Sequence, residues 1–333
     1  MNLDQVILKF RENPKNMEMG SGKLSARFKC TKEDIFKARE IVRGENIKVN
    51  KVKTTSPGEP VLQKSIRFNK LDRISTPSRL EGNTVGMHII QGCVHVPFQN
   101  KKMQTGIMNL MKDLGDKVKG FHLIGDILDM NSLSAHDNNK LPIPGITLGY
   151  EYKEGNKFLD EYDTVIPKDA MRTYLYGNHE DRWNRHVADV NNSKYADAVP
   201  SPREALRLEE RGYIVKDNWK EDYFILGKDL QIIHGEFCTK YPARTHVDRM
   251  KASVIFAHTH RIDINYDGEK AGFNIGWGGD TNAAAFNYVS RLTKMNWING
   301  FAIVHIDNRG NYFTQVIPVF HNEFWYNGIR YGG

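Results

Sequence analysis

The sequence predicts an α/β fold in which two sheets pack face to face between outer helices, an αββα sandwich. In residues 86–176, short apolar runs that end at polar clusters alternate with helical segments. This alternation is typical of βαβ units with a largely parallel sheet. In the second half, paired apolar runs flank short turns, which indicates antiparallel hairpins and a second sheet.

Each element is predicted from its own stretch of sequence. The parallel strands are predicted at 87–91, 120–124 and 172–176, and the helices between them at about 98–114 and 149–162. The hairpins pair 223–226 with 230–233, 262–266 with 272–275, and 301–306 with 312–319. The hairpins are expected to supply the second sheet.

Composition excludes several classes of protein. A chain of 333 residues with 40% apolar content is long enough for one large domain and a small appendage. Its three cysteines are scattered and odd in number, so they do not form a disulfide framework, and a reducing compartment is expected. No apolar run approaches the ~20 residues that span a bilayer, and the N-terminus is not typical of a signal peptide. A cytoplasmic protein without a membrane partner is therefore expected.

The net charge of +7 is concentrated near the N-terminus. Residues 1–80 hold 18 Lys and Arg against 9 Asp and Glu, whereas the rest of the chain holds 29 against 31. This basic arm predicts a polyanionic partner, with nucleic acid bound through residues 1–80. The alternative is a solvated linker whose lysines only keep the chain soluble.

Residues 1–43 are predicted to form a small helical segment. Helices are expected at 3–11, at 23–28 and from the N-cap Thr31 to Arg43, where Gly44 ends the last one. The pattern resembles a helix-turn-helix, although DNA contact and protein docking are both compatible with it. Residues 44–84 have few apolar positions and no periodicity, which predicts a basic linker. The catalytic domain is then expected at 85–333.

Five polar clusters follow the predicted strands. They are Gly92-Cys93-Val94-His95, Gly125-Asp126-Ile127-Leu128-Asp129, Gly177-Asn178-His179-Glu180, His234-Gly235-Glu236 and His258-Thr259-His260. In an extended segment the side chains of residues i and i+2 point the same way, so two clusters can each direct a pair of donors into one cleft. Nitrogen, oxygen and sulfur donors from five segments suit two divalent metal ions, the arrangement used for displacement at phosphorus.

This series of motifs resembles the calcineurin-like metallophosphoesterases, whose signature runs D-x-H, G-D-x-x-D, G-N-H-[ED], H and G-H-x-H. The resemblance covers about residues 86–307, with Ala257 in place of a glycine and Cys93 in place of the first aspartate. The remainder is similar to phage-encoded members, which would place the protein in the host cytoplasm.

The resemblance implies a role for each matched residue. Asp126 would bridge two metal ions; Cys93, His95 and His260 would complete the first site, and Asn178, His234 and His258 the second. His179 would be the catalytic acid or charge stabiliser, with Asp129 fixing its orientation. A metal-bridging hydroxide would attack phosphorus, and the ions would be Mn, Zn or Fe.

Cys93 departs from the family pattern and has three interpretations. As a thiolate ligand it would favour Zn²⁺ or Fe²⁺ over Mg²⁺, and this is favoured because every other ligand is present. It would otherwise be a spectator beside a weakly held first metal, or a sign of a degenerate enzyme.

Three further side chains are candidates for substrate binding: Arg182, Arg185 and His136.

The sequence therefore predicts a metal-dependent phosphodiesterase or nuclease that acts on nucleic acid. A phosphomonoesterase or protein phosphatase is the alternative that the metal centre alone permits. The non-enzymatic alternative is a DNA-binding or virion-associated protein with an inactive phosphoesterase domain.

Overall fold

The computed structural model of the chain describes residues 3–12, 21–31, 33–38, 42, 78–80, 84–134, 143–189, 192 and 198–333. The chain divides into two compact units, Met1–Arg67 and Phe68–Gly333. No helix in these described stretches is long and apolar enough to cross a membrane.

The smaller unit contains α1 (Leu3–Glu12), α2 (Ser21–Phe28) and a further helical stretch at residues 33–38. Thr31 caps that stretch, because its hydroxyl accepts from the Asp34 amide at 3.1 Å while the Asp34 carboxylate accepts from the Thr31 amide. The buried core residues are Val6, Ile7, Phe10, Leu24, Phe28, Ile35, Ala38 and Val42. Other small helical bundles share this arrangement, so a DNA-binding role for the segment stays a prediction.

The larger unit contains two six-stranded sheets. From edge to edge, the first is β12 (Tyr312–Val319), β11 (Asn299–Ile306), β2 (Gly86–Gln91), β3 (Val118–Ile124), β4 (Met171–Leu175) and β5 (Tyr213–Lys216). The second is β1 (Ser78–Arg79), β6 (Phe224–Leu226), β7 (Leu230–Ile232), β8 (Val254–Phe256), β10 (Lys270–Ile275) and β9 (Ile262–Asp267). A separate ribbon pairs β13 (Glu323–Tyr326) with β14 (Ile329–Gly332).

Helices and short 3₁₀ turns connect these strands. The helices are α3 (Lys101–Leu114), α4 (Leu148–Asp163), α5 (Asp181–Ala188), α6 (Pro202–Ala205), α7 (Pro242–Met250) and α8 (Arg291–Lys294). The 3₁₀ turns lie at Gly115–Lys117, Asn131–Leu133 and Ala284–Phe286. Asn100 starts α3 and Thr147 starts α4, each by accepting a backbone N–H of the first turn.

Apolar side chains lie between the two sheets and outside both of them. The inner core joins Ile90, Ile124 and Leu175 of the first sheet to Phe224, Ile255 and Phe273 of the second. Outside the first sheet, α3 and α4 bury Ile107, Leu110, Phe158 and Leu159, and outside the second, α7 buries Ala243 and Val247. The predicted two-sheet α/β sandwich is thereby confirmed.

One hairpin joins a different sheet from the one predicted. The β11–β12 hairpin was expected in the second sheet, but β11 pairs antiparallel with β2 over Ala302–Ile306 and so extends the first. A strand paired on both sides inside a sandwich is buried on both faces, which is why β11 is almost continuously apolar. Its composition gives no sign of which sheet it joins.

The C-terminal end of the predicted linker belongs to the second sheet. Ser78 and Arg79 form β1, which pairs in parallel with β6, and the Leu80 side chain is buried in the inner core. A two-residue strand is too short to show a periodic pattern, so it escaped the sequence analysis. A truncation that spares the second sheet must therefore end before residue 78.

Candidate metal centre

The predicted site residues follow five strands of the larger unit. Cys93 and His95 follow β2, Asp126 follows β3, and Asn178 follows β4, all in the first sheet. His234 follows β7, and the pair His258 and His260 follows β8, in the second sheet. Parallel strands place their carboxyl ends at one edge of a sheet, so the five loops meet above the inner core.

Donor atoms from these loops form one cluster. Among the described residues, three groups have ligand atoms within 4.8 Å of one another: Cys93 with His95 and His260, Cys93 with Asp126 and His234, and His95 with Asp126 and His179. Because Asp126 and Cys93 each belong to two groups, the groups form a single continuous centre.

The donors around His234 suit a cation. The Nδ1 of His234 donates to the Ile124 carbonyl at 2.9 Å, so in the neutral form of the ring the Nε2 lone pair points inward. Around that Nε2 lie the Asn178 Oδ1 at 3.1 Å, the His258 Nδ1 at 3.1 Å and the Asp126 Oδ2 at 3.3 Å. Electron-rich atoms at such separations repel one another unless a proton or a metal ion lies among them, so these residues fit a metal ion.

The donors around His95 have the same character. The His95 Nδ1 donates to the Asp129 carboxylate at 2.9 Å, which leaves its Nε2 facing the His260 Nε2 at 3.1 Å. Burial lowers the pKa of both histidines. A neighbouring ring lowers each pKa further: His179 acts on His95, and His95 acts on His260. Neutral imidazoles with a fixed tautomer are the form that binds metals.

Asp126 supplies the negative charge at the middle of the centre. Burial alone would raise the pKa of its carboxyl, but His234, His179 and His95 hold that pKa well below its usual range. Burial opposes protonation of His234 and His179, but the Asp126 charge and hydrogen bonds together raise the pKa of both rings. The carboxylate is therefore ionised and available to two ions.

The metal-donor loops are held in a left-handed backbone conformation. The φ angles are 51° at Cys93, 55° at His95, 52° at Asp126, and 60° at both His258 and His260. Residues other than glycine adopt this backbone region at a cost of about 1–2 kcal/mol each, and such strain is concentrated at functional sites. The expectation of extended i, i+2 segments is therefore corrected, because both residues of each pair are left-handed.

Two glycines allow the Asp126 loop to approach its neighbours. Gly125 has a φ of 93°, and a side chain there would overlap the His234 ring. A side chain at Gly177 would overlap the Asp126 carboxylate. The glycines in these two motifs thus let three loops come into contact.

Cys93 lies inside the donor cluster. Its side chain is 0% exposed, and its Sγ accepts a hydrogen bond from the His258 amide at 3.0 Å. Burial and then the Asp126 charge raise the pKa of this thiol well above its usual value. A metal ion would therefore have to displace the thiol proton in order to bind the sulfur.

The thiolate interpretation predicts a spectroscopic signature. Co²⁺ bound to the full chain should show a thiolate-to-metal charge-transfer band in the near ultraviolet, and Cys93→Ala should abolish that band and lose one of two ions. Cys93→Asp should retain two ions and shift the preference toward Mn²⁺ or Mg²⁺, which favour oxygen donors.

The matched control for this test is the exposed Cys238. Cys238→Ser should leave the cobalt band unchanged. If the band survives in Cys93→Ala, or if that variant still binds two ions, Cys93 is a spectator. Thiol alkylation does not discriminate between these interpretations, because Cys93 is buried even without a metal.

His179 lies beside the donors with its ring fixed from two sides. Its Nδ1 hydrogen-bonds the Asp129 carbonyl at 2.6 Å and lies 3.3 Å from the Asp129 Oδ1. Its Nε2 lies 3.9 Å from the Asp126 Oδ2. Asp129 thus touches His179 chiefly through its backbone, while its carboxylate orients His95 at a shorter distance, a contact that the sequence analysis did not anticipate.

The three predicted substrate-binding residues differ in their surroundings. Arg182 is 9% exposed; its Nη1 donates to the Asp129 carbonyl at 2.8 Å, and its Nη2 lies 3.3 Å from the His179 Nε2. Arg185 is largely exposed, donates to the Asn178 carbonyl at 3.0 Å and pairs with Asp181. His136 lies outside the described residues. Substrate binding by all three stays a prediction.

Glu180 is a positioning residue that the sequence analysis missed. Its buried carboxylate accepts five hydrogen bonds of 2.7–3.0 Å, from the backbone amides of Asp126, Ile127, Leu128 and Gly177 and from the Tyr174 hydroxyl. It thereby fastens the Asp126 loop to the Asn178 loop. Its place in the third motif was visible in the sequence, but its partners in the Asp126 loop lie more than 50 residues away.

Glu180→Gln should destabilise the protein by about 2–6 kcal/mol. The amide nitrogen of glutamine would face at least two backbone N–H donors, and each buried donor left without an acceptor costs ~1–3 kcal/mol. Denaturant unfolding of the metal-free protein would measure the loss. Glu209→Gln removes an exposed ion pair with Arg203 and should cost less than ~1 kcal/mol. Equal stabilities of the two variants would contradict the positioning role.

Aromatic side chains surround both ends of the cluster. The buried Trp277 stacks on His260 with 4.6 Å between ring centroids, and Trp297 meets the same ring edge-on at 4.5 Å. At the other end, the Trp219 ring lies 5.9 Å from His234 and 6.0 Å from His258. The buried Trp277 shields the His260 end from water and so strengthens electrostatic interactions there.

No protein-family model and no curated protein matches the chain. Solved structures do match it. Vacuolar protein sorting 29 from Cryptosporidium parvum is 12% identical with a TM-score of 0.41, over 75% of this chain and 99% of that one. Wild-type Vps29 from Entamoeba histolytica complexed with zinc is 11% identical with a TM-score of 0.38, over 72% of this chain and 96% of that one. At this low identity, the interpretation of the centre rests on the chain's own residues.

Proposed function

We propose that this chain is a metal-dependent phosphodiesterase that acts on nucleic acid. The observation that carries the proposal is the convergence of seven donor side chains, with Asp126 at their middle, from five loops. Cys93, His95, Asp126 and His260 would hold one divalent ion; Asp126, Asn178, His234 and His258 would hold the other. Such a pair of ions polarises a phosphate ester, and it lowers the pKa of a water molecule that is bound to the ions.

His179 would act on the leaving group. The nearby Asp126 charge raises the pKa of its imidazole against the effect of burial, so the ring holds a proton at higher pH than an ordinary histidine. With Nδ1 bonded to the Asp129 carbonyl, the Nε2 proton is the one available for transfer to an ester oxygen. Arg182, which is anchored on the same carbonyl, would neutralise charge on the departing group.

The nucleic-acid part of the proposal is supported by the charge of the smaller unit. Residues 1–67 hold 15 Lys and Arg against 8 Asp and Glu, whereas residues 68–333 hold 32 of each. A neutral catalytic unit has no excess charge of its own to attract a polyanion, so the basic unit would supply the attraction.

A substrate panel tests the activity. The full chain should hydrolyse bis-p-nitrophenyl phosphate and DNA or RNA with Mn²⁺, Zn²⁺ or Fe²⁺, and should lose that activity after chelation. Hydrolysis of p-nitrophenyl phosphate without cleavage of any diester would instead identify a phosphomonoesterase. Failure to bind metal even after supplementation would indicate an inactive domain.

Deletion of residues 1–67 tests the nucleic-acid partner. Hydrolysis of the small diester should stay nearly unchanged, while DNA binding weakens and the slope of log affinity against log salt flattens by about 0.9 for each lost phosphate contact. Asp126→Asn in the full chain is the reciprocal control: DNA binding persists while hydrolysis is lost. An unchanged salt slope in the truncated protein would exclude residues 1–67 as the binding element.

A further inference from the structure

Trp219 differs from the other tryptophans near the centre. It lies in the connection from β5 to β6, which carries the chain from the first sheet to the second. Part of its ring packs against the core outside the first sheet, and the rest is exposed. Trp277, by contrast, is 0% exposed and lies behind His260. Trp219 is therefore an aromatic side chain at the solvent side of the centre.

The ring of Trp219 makes no stacked contact among the described residues. It meets His234 at an interplanar angle of 83° and His258 at 38°, with ring centroids 5.9 and 6.0 Å away. The Lys220 Nζ lies 5.4 Å from the ring centroid. A cation over an indole face is attracted by the ring, and the exposed part of the Trp219 ring is open to a flat partner.

The loop that carries Trp219 is held in place by its own hydrogen bonds. The Asp222 amide donates to the Asn218 carbonyl at 2.8 Å, and the Asp222 carboxylate accepts from the Asn218 amide at 2.9 Å. A ring carried by a fixed turn loses little conformational freedom when a ligand stacks on it, so more of the stacking energy appears as affinity.

We propose that Trp219 is the platform on which one nucleobase of the substrate stacks while the adjacent phosphate occupies the metal centre. This inference rests on the proposed function. In a nucleotide the base and the phosphate are separated by one sugar, and the Trp219 ring centroid lies 5.9 Å from that of His234 and 6.0 Å from that of His258 at the second site. Lys220, beside the ring, has its charge available for the next phosphate. Stacking is tolerant of base identity, so the platform predicts a preference for unpaired strands without a strong sequence preference.

The test is a binding cycle with two oligonucleotides, measured by fluorescence anisotropy on the metal-loaded full chain carrying His179→Ala, which slows cleavage while binding is measured. One is a single-stranded 12-mer and the other is the same strand with abasic sites throughout. Trp219→Leu keeps apolar bulk but removes the aromatic face, and should weaken binding of the first strand by roughly 5- to 150-fold, the range of one lost base–aromatic stack. The abasic strand should bind equally tightly to the chain with Trp219 and to the Trp219→Leu variant. Residues 1–67 are present in both proteins, so their contribution to affinity cancels in the comparison.

Two further variants sharpen the test. Trp219→Phe should recover most of the lost affinity, since it restores an aromatic face. Trp325→Leu makes the same change at an exposed tryptophan of β13 and should have no effect on either strand. In the metal-loaded enzyme, Trp219→Leu should raise KM for the base-bearing strand while its metal content stays at the wild-type level.

Three outcomes overturn the inference. An equal loss on both strands would mean that Trp219 only supports His234 and His258. A loss of metal in Trp219→Leu would mean the same. If the wild-type chain neither binds nor cleaves any nucleic acid, the proposed function itself fails, and hydrolysis of small esters would then report on the centre separately.

Discussion

Asp126→Asn should abolish hydrolysis and metal loading together. Asp126 is the carboxylate shared between two of the donor groups, and its negative charge would balance the charge of the ions. The amide keeps the shape of the side chain and can still accept from the His179 backbone amide, which Asp126 now does at 2.9 Å, so the fold should persist. Elemental analysis of the purified variant and the diester assay measure the two losses.

The matched control is Asp129→Asn, which changes another buried carboxylate of the same centre. Asp129 belongs to none of the donor groups found among the described residues and acts through its hydrogen bond to His95. Metal affinity should therefore fall by only about 10- to 100-fold, the usual effect of removing a partner of a metal ligand. If Asp126→Asn purifies with two ions, Asp126 does not bridge them.

His179→Ala should keep both ions while slowing turnover by about 10²–10⁴-fold, the usual size of a general-acid contribution. The loss should be larger for DNA than for a p-nitrophenyl ester, because an alkoxide leaving group needs the proton more than a stabilised phenolate does. Turnover of both substrates and metal content are measured on the same preparations.

The structure also makes the competing role of His179 testable. Its ring belongs to a donor group with His95 and Asp126, so a metal ligand would fit the same geometry. Loss of one ion in His179→Ala would assign that role and remove the general acid. His186→Gln, seven residues along the chain on α5, should change neither the rate nor the metal content.

Much of the centre could be predicted because its donors follow strands along the chain. Each motif lies directly after an apolar run, and parallel strands end at a common edge, so strand order alone brings Asp126 near Cys93. The chemistry of histidine, carboxylate and thiol side chains then indicates a metal. Fold class and candidate ligands were accessible from sequence for this reason.

The remaining features depend on contacts between distant parts of the chain. Glu180 meets the Asp126 loop across more than 50 residues, and Trp219 meets the ring of His258 only because β5 and β8 belong to different sheets that face each other. The tautomer of His95 depends on Asp129, and the left-handed loops depend on their surroundings. No local pattern reports such partners.

By itself, the sequence of this protein determined the positions of most strands of the two sheets, the chemical types of the donors and the separation of a basic front from a neutral remainder. Tertiary structure alone decided that β11 lies beside β2, that Leu80 enters the inner core, and which ring nitrogen of each histidine faces the centre. The physical reason is the distance along the chain over which each kind of interaction acts. Periodicity and composition report on neighbours in the chain, whereas hydrogen-bond partners, burial and pKa depend on what packing brings within a few ångströms.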